Sequence, residues 1–159
     1  MAYQSDANTP AVWLFGLPNS GKTTLAQLLS KQLDAQGLRH ELLDGDNVRK
    51  FFKGDVDFTP AGRRNNIRRI IFASALLVKH NVPLIVANVL PFEDMRAELK
   101  EWIPDMKLVY LSASLEECRR RDTTKGALAG DTQTFGRDLV FEEPSAPDLI
   151  LDTGERPEQ

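Results

Sequence analysis

One cysteine, two histidines and two tyrosines are all that 159 residues contain of those types. A lone Cys118 excludes an internal disulfide, and its place beside Leu115 in an amphipathic stretch makes it a small buried residue. The two histidines, His40 and His80, lack metal-ligand spacing, so both are expected at the surface. No apolar run approaches the ~18 residues that a membrane-spanning helix needs. The opening stretch from Met1 to Pro10 is polar and lacks the apolar core of a leader peptide. Positive charge is not in excess either: 20 Lys and Arg stand against 23 Asp and Glu, a net charge of -3. That balance argues against bulk binding of nucleic acid or of an anionic membrane. Repeats and low-complexity segments are absent. The expectation is a soluble cytoplasmic protein forming one domain over 1–159, with loose tails at about 1–9 and 154–159.

What is present is alternation. Short apolar runs, Ala11–Phe15, Glu41–Leu43, Val82–Val89, Leu108–Leu111 and Leu149–Leu151, read as strands. Helical patterns lie between them at about Gly21–Gln36, Pro60–Lys79, Phe92–Trp102 and Leu115–Arg121. Thr59 before Pro60 is a helix start, a capping hydroxyl followed by a proline in the first turn. Trp13 is expected in the core, and Trp102 is expected to pack at the end of its helix. Strands alternating with helices imply an α/β fold, a parallel sheet of five strands with helices on both faces. Ligands of such sheets bind beyond the carboxyl ends of the strands.

The first strand runs into Gly16-Leu17-Pro18-Asn19-Ser20-Gly21-Lys22-Thr23, the pattern of a P-loop. Glycines at both ends let the backbone curl so that its N–H groups face phosphate oxygens. The helix that follows aims its N-terminal dipole at the same anion. Lys22 can reach the β- and γ-phosphates of ATP, and the Thr23 hydroxyl can ligate Mg²⁺. Gly16, Asn19, Ser20, Gly21, Lys22, Thr23 and Thr24 are the candidate nucleotide contacts. A structural glycine turn with an incidental lysine explains neither the strand before the loop nor the amphipathic helix after it.

Asp44 and Asp46 stand one residue apart at the end of the second strand, where i and i+2 side chains share a face. Two carboxylates at a ligand edge divide the work of a kinase: one holds water on Mg²⁺, the other orients or deprotonates an attacking hydroxyl. Our reading takes Asp46 as the base and Asp44 as the metal-side residue; the spacing also admits the reverse. Asn88 ends an otherwise apolar strand at the same edge, where its amide needs a partner, either a neighbouring loop or the phosphates.

The run Asp44-Gly45-Asp46-Asn47-Val48-Arg49, followed by Phe58, Arg63 and Asn66-Ile67-Arg68-Arg69, resembles the adenylyl-sulfate (APS) kinases. So do Cys118 to Asp122, Lys125-Gly126, Glu143-Pro144 and the stretch from Pro147 to Thr153. The resemblance implies the P-loop NTPase fold and transfer of the γ-phosphoryl of ATP to the ribose 3′-hydroxyl of adenylyl sulfate, giving PAPS. It implies that Arg49, Arg63 and Asn66 hold the acceptor nucleotide, that Phe58 packs on its base, and that the enzyme is a homodimer. Arginine suits two-pronged contact with phosphate or sulfate, and Arg63 and Asn66 lie three apart on one helix face. Outside the motif, Phe58 would be a core residue more often than a platform. Arg64 and Arg69 read as solvated charges.

The chain also departs from the family. Val89-Leu90-Pro91-Phe92 replaces Ile-Ser-Pro-Tyr, and the lid, about 122–140, is shortened and lacks its tyrosine and following basic residues. Within it, Lys125 is a candidate phosphate contact and Phe135 a candidate clamp on the acceptor base. Arg119 to Arg121 are further candidate phosphate contacts, with Arg120 taken for ATP. Because the departures fall on the acceptor side, kinase of another modified nucleotide or small alcohol is the competing reading. A non-catalytic nucleotide-binding regulator is disfavoured by the retained Lys22, Asp44 and Asp46.

Overall fold

The computed structural model describes residues 9–53, 57–121 and 139–154. Lys125 and Phe135 lie outside those residues. The elements run β1 (Ala11–Phe15), α1 (Lys22–Ala35), β2 (Glu41–Asp44), α2 (Gly45–Phe51), α3 (Pro60–Lys79), β3 (Leu84–Ala87), α4 (Glu93–Trp102), β4 (Lys107–Ser112), α5 (Leu115–Arg120) and β5 (Leu149–Asp152). The strands form one sheet in the order β2-β3-β1-β4-β5. Every pairing is parallel, with Trp13 opposite both Val86 and Leu108. A parallel sheet needs cover on both faces, which explains the near-continuous apolar runs of β1 and β3.

Alternation along β1 divides the core. Trp13 and Phe15 face one cluster with Ile67, Ile70 and Ile71 of α3 and Met95 and Leu99 of α4. Leu14 faces the other, with Ile85, Val109 and Leu111, onto which Leu25, Leu29 and Leu33 of α1 pack. Trp13, Phe15 and Ile70 are each 0% exposed. Full burial of such side chains contributes about 1.5–3 kcal/mol apiece relative to exposure. Trp102 is partly buried against the first cluster, and Cys118 is buried, as expected. No helix among the described residues is long and apolar enough to cross a membrane.

Local chemistry sets the helix ends. The Thr59 hydroxyl accepts from Gly62 N at 3.1 Å and Pro60 occupies the first turn, so α3 starts where the sequence placed it. α3 then runs 20 residues to Lys79.

Two expectations are corrected. The first concerns the acidic pair: only Asp44 belongs to β2. Asp46 lies in the first turn of α2, with the Asp44 side chain capping that helix through Asp46 N at 2.8 Å. The shared-face argument for a strand therefore does not hold them together; a helix cap does. The second is His40, whose side chain is only 6% exposed. Its Nε2 lies 2.7 Å from Ser30 Oγ and its Nδ1 3.0 Å from Leu38 O. Because Leu38 O can only accept, neutral His40 carries its proton on Nδ1 and accepts from Ser30 at Nε2. The ring is thus half of a polar staple between α1 and β2, and His80 alone is at the surface.

Candidate active site

β1 lies in the middle of the sheet, so the loop after it opens at the centre of the carboxyl edge. Gly21 caps α1 with φ 97, a conformation that favours glycine. It offers no capping side chain, and the first turn of α1 contains no acidic residue. The leading N–H groups of α1 are therefore left for an anion. Ser20 is fully buried, and its carbonyl accepts from Thr153 Oγ1 at 2.8 Å. Gly16 N donates to Val89 O at 3.3 Å, tying the start of the loop to the chain leaving β3.

Lys22 is 9% exposed. Its ammonium folds back onto the loop, donating to Leu17 O at 2.6 Å and Gly16 O at 3.2 Å. Burial pushes its pKa down to about 8, while the neighbouring Cys118 and the carboxylates of Asp46 and Asp44 pull the other way. A buried ammonium held by carbonyls gains most from an incoming phosphate, which restores the favourable field that water would have supplied. Thr23 Oγ1 donates to Asp44 Oδ2 at 3.0 Å. A hydroxyl and a carboxylate in contact beside a phosphate loop are the hard oxygen donors that Mg²⁺ takes. The residues present therefore fit both a nucleotide phosphate chain and its Mg²⁺.

Beside it stand the residues that the resemblance assigns to the acceptor. Arg49 belongs to α2, Arg63 and Asn66 to the start of α3. Phe58 precedes α3 and is 43% exposed, so it is not a core residue. The guanidinium carbon of Arg49 lies 4.2 Å from its ring centroid and that of Arg63 5.3 Å. Arg63 Nε also donates to Phe58 O at 3.0 Å, and Arg63 is buried to 7% exposure. An exposed aromatic ring with two cations close to it suits a base that stacks on the ring while the charges meet its anionic groups. Asn66 Nδ2 reaches Gly45 O at 3.4 Å, linking this set to the residue between the two aspartates.

Arg120 is not drawn to the loop: its side chain is 77% exposed and pairs with Glu117 at 2.9 Å. Arg64 is not merely solvated, since it pairs with Asp94 at 3.0 Å and lies over Phe92 at 3.8 Å. Arg69 packs over Phe52 at 4.1 Å.

Three supporting residues make contacts that their sequence neighbourhood does not announce, although Arg121 and Thr153 lie in stretches that resemble the family. Thr153 binds Ser20 O behind the phosphate loop and Ser112 O at the end of β4. Arg121 donates to Thr153 O and pairs with Glu117. Arg96 is 3% exposed, and its Nε donates to Leu90 O at 3.2 Å. Leu90 has φ 47, so Arg96 clamps a strained turn beside the site. The signal available was the charged residue itself, placed at the buried positions of an amphipathic helix.

The adenylylsulphate kinase family profile matches residues 8–152. An adenylyl-sulfate kinase of Synechococcus sp. (strain JA-2-3B'a(2-13)) is 38% identical over 149 residues, covering 91% of this chain and 85% of the relative. Among solved structures, the APS kinase CysC of Mycobacterium tuberculosis, in complex with AMPPNP and APS, superimposes with a TM-score of 0.80. It is 29% identical and covers 90% of this chain and 87% of that one. A hexameric APS kinase from Thiobacillus denitrificans superimposes with a TM-score of 0.66 at 25% identity, covering 96% of this chain and 27% of that one.

Proposed function

Since this chain belongs to the adenylylsulphate kinase family, we propose that it transfers the γ-phosphoryl of ATP to the ribose 3′-hydroxyl of adenylyl sulfate. The observation that carries the reading is the joining of two half-sites through α2. Asp44, at the end of β2, bonds to Thr23 of the phosphate loop, while α2 itself carries Asp46 and the acceptor-side Arg49.

The donor phosphates lie against the open N–H groups at the start of α1, with Lys22 on the β- and γ-phosphates. Thr23 and Asp44 hold Mg²⁺, which neutralises charge on those phosphates. The acceptor stacks on Phe58, and Arg49, Arg63 and Asn66 hold its anionic and ribose groups. Asp46 receives the proton of the 3′-hydroxyl as its oxygen attacks the γ-phosphorus. The new O–P bond forms in line as the bridging bond to the β-phosphate breaks, and ADP departs with that electron pair. Lys125, Phe135 and, once it leaves Glu117, Arg120 are the further candidate contacts.

The protein works in the cytoplasm as a homodimer. Phe72 and Leu76, four residues apart on α3 and 60% and 38% exposed, offer apolar surface for a second copy.

Coupled ADP release with adenylyl sulfate, set beside adenosine and cytidine nucleotides and simple alcohols, tests the acceptor. Turnover confined to adenylyl sulfate is expected. Robust turnover of a different acceptor, with none on adenylyl sulfate, overturns the reading in favour of another nucleotide or alcohol kinase.

A further inference from the structure

Asn88 follows β3, where the acidic edge meets the phosphate loop. Its backbone N donates to Leu14 O at 3.2 Å, and the next carbonyl, Val89 O, takes the N–H of Gly16. Its side chain lies against Gly45, the residue between Asp44 and Asp46. A Cβ on Gly45 would stand 2.5 Å from Asn88 Oδ1, so only glycine admits this approach. From the other side Asn66 reaches the carbonyl of the same glycine. Two amides thus flank the residue that separates the carboxylates.

Each of these amides keeps one unused group. Asn88 Nδ2 and Asn66 Oδ1 are shielded from solvent and have no hydrogen-bond partner among the described residues. Shielded polar atoms without partners are uncommon in native proteins, and at a ligand edge they are the groups a ligand satisfies. The unused pair is one donor and one acceptor. A hydroxyl is the group that answers both, accepting at its oxygen and donating its proton.

We propose that Asn88 is a specificity-determining residue for the acceptor, donating through Nδ2 to the 2′-hydroxyl of the ribose, whose own proton goes to Asn66 Oδ1. The 2′-hydroxyl is the neighbour of the reacting 3′-hydroxyl, as Gly45 is the neighbour of Asp46. With the 2′-hydroxyl held, the 3′-oxygen has one remaining direction, toward Asp46 and the γ-phosphorus. This assignment rests on adenylyl sulfate being the acceptor.

Steady-state kinetics with adenylyl sulfate and its 2′-deoxy analogue test it, in the wild type, Asn88→Leu and Asn88→Ala. The alanine removes the amide without adding bulk or charge, so it also serves if the leucine variant fails to fold. The wild type is expected to prefer the ribose substrate by about tenfold or more in kcat/KM, the usual effect of one well-made hydrogen bond. In both variants the preference should fall toward unity through loss on the ribose substrate, with little change on the deoxy analogue. An amide that only packs against Gly45 would lower both substrates equally and leave the preference intact, which overturns the proposal. A wild type without any preference, or an alanine variant that keeps it, overturns it as well. Absence of wild-type turnover on adenylyl sulfate would instead overturn the acceptor reading, and this assignment with it.

Discussion

Thr23 Oγ1 donates to Asp44 Oδ2 at 3.0 Å, and Asp44 Oδ1 accepts from Asp46 N at 2.8 Å. One carboxylate therefore fastens the phosphate loop to the helix that carries Asp46. Two substitutions at Asp44 separate its tasks. The side-chain amide introduced by Asp44→Asn retains an acceptor oxygen for the cap. That variant should melt near the wild type, yet need more Mg²⁺ and turn over far more slowly. Asp44→Ala should show the same kinetic defect and in addition lose about 1 kcal/mol of stability with the cap. Thermal melts beside Mg²⁺ titrations of kcat check both.

Asp46→Asn should lower kcat by about a hundredfold or more, because a positioned base typically contributes that much. Its melting temperature should change little, since Asp46 is exposed and caps nothing. Near-normal turnover would remove Asp46 from the base role and favour Asp44.

Lys22 supplies a prediction in pH. Its folded pKa is lowered to about 8 from 10.5, chiefly by burial. Between those values the unfolded chain binds more protons than the folded one, so this group makes stability rise with pH there. In the absence of nucleotide, the stability difference between wild type and Lys22→Met should move in favour of the wild type from about pH 8 to 10.5. It should be flat below about pH 7. Chemical denaturation across that range measures it. Lys22→Met should also cut kcat by about a hundredfold or more through loss of a charge contact in the transition state.

Arg63→Ala should chiefly raise the KM for the acceptor, and leave that for ATP near its original value. Arg63 both flanks the Phe58 ring and bonds to Phe58 O. Arg63→Lys should not restore affinity, because a lysine cannot reproduce the planar fork that serves ring and carbonyl together. A change confined to the ATP parameter would place Arg63 on the wrong side of the site.

Thr153→Val should raise the KM for ATP several-fold, by about one hydrogen bond's worth, with the acceptor KM less affected. The hydroxyl that binds Ser20 O holds the phosphate loop from behind. Equal effects on both substrates would show that Thr153 supports the fold at large.

Much of this was legible in the chain itself. The limits of β1 and α3 could be read from an apolar run ending at Gly16 and from Thr59-Pro60. The phosphate loop could be read because glycine spacing is a local requirement of backbone curling. α2 was hidden because Asp44-Gly45-Asp46 has the composition of a turn. The cap that makes Asp44 a helix start shows only once Asp46 N is placed on its carboxylate. His40 was misread because nothing in a lone histidine near a strand reports the Ser30 hydroxyl one helix away. Thr153 was out of reach for the same reason: its partner Ser20 is 133 residues distant. Contacts made by the fold, rather than by neighbours in sequence, account for what sequence reading did not find.

The central claim is phosphoryl transfer to one hydroxyl of one nucleotide, and its most direct test is the chemical identity of the product. Incubation with MgATP and adenylyl sulfate, followed by phosphorus NMR and mass spectrometry, should give a single new phosphomonoester on the ribose 3′-oxygen, in equimolar amount with ADP. ADP formed without that ester, or an ester on any other oxygen or acceptor, would contradict it.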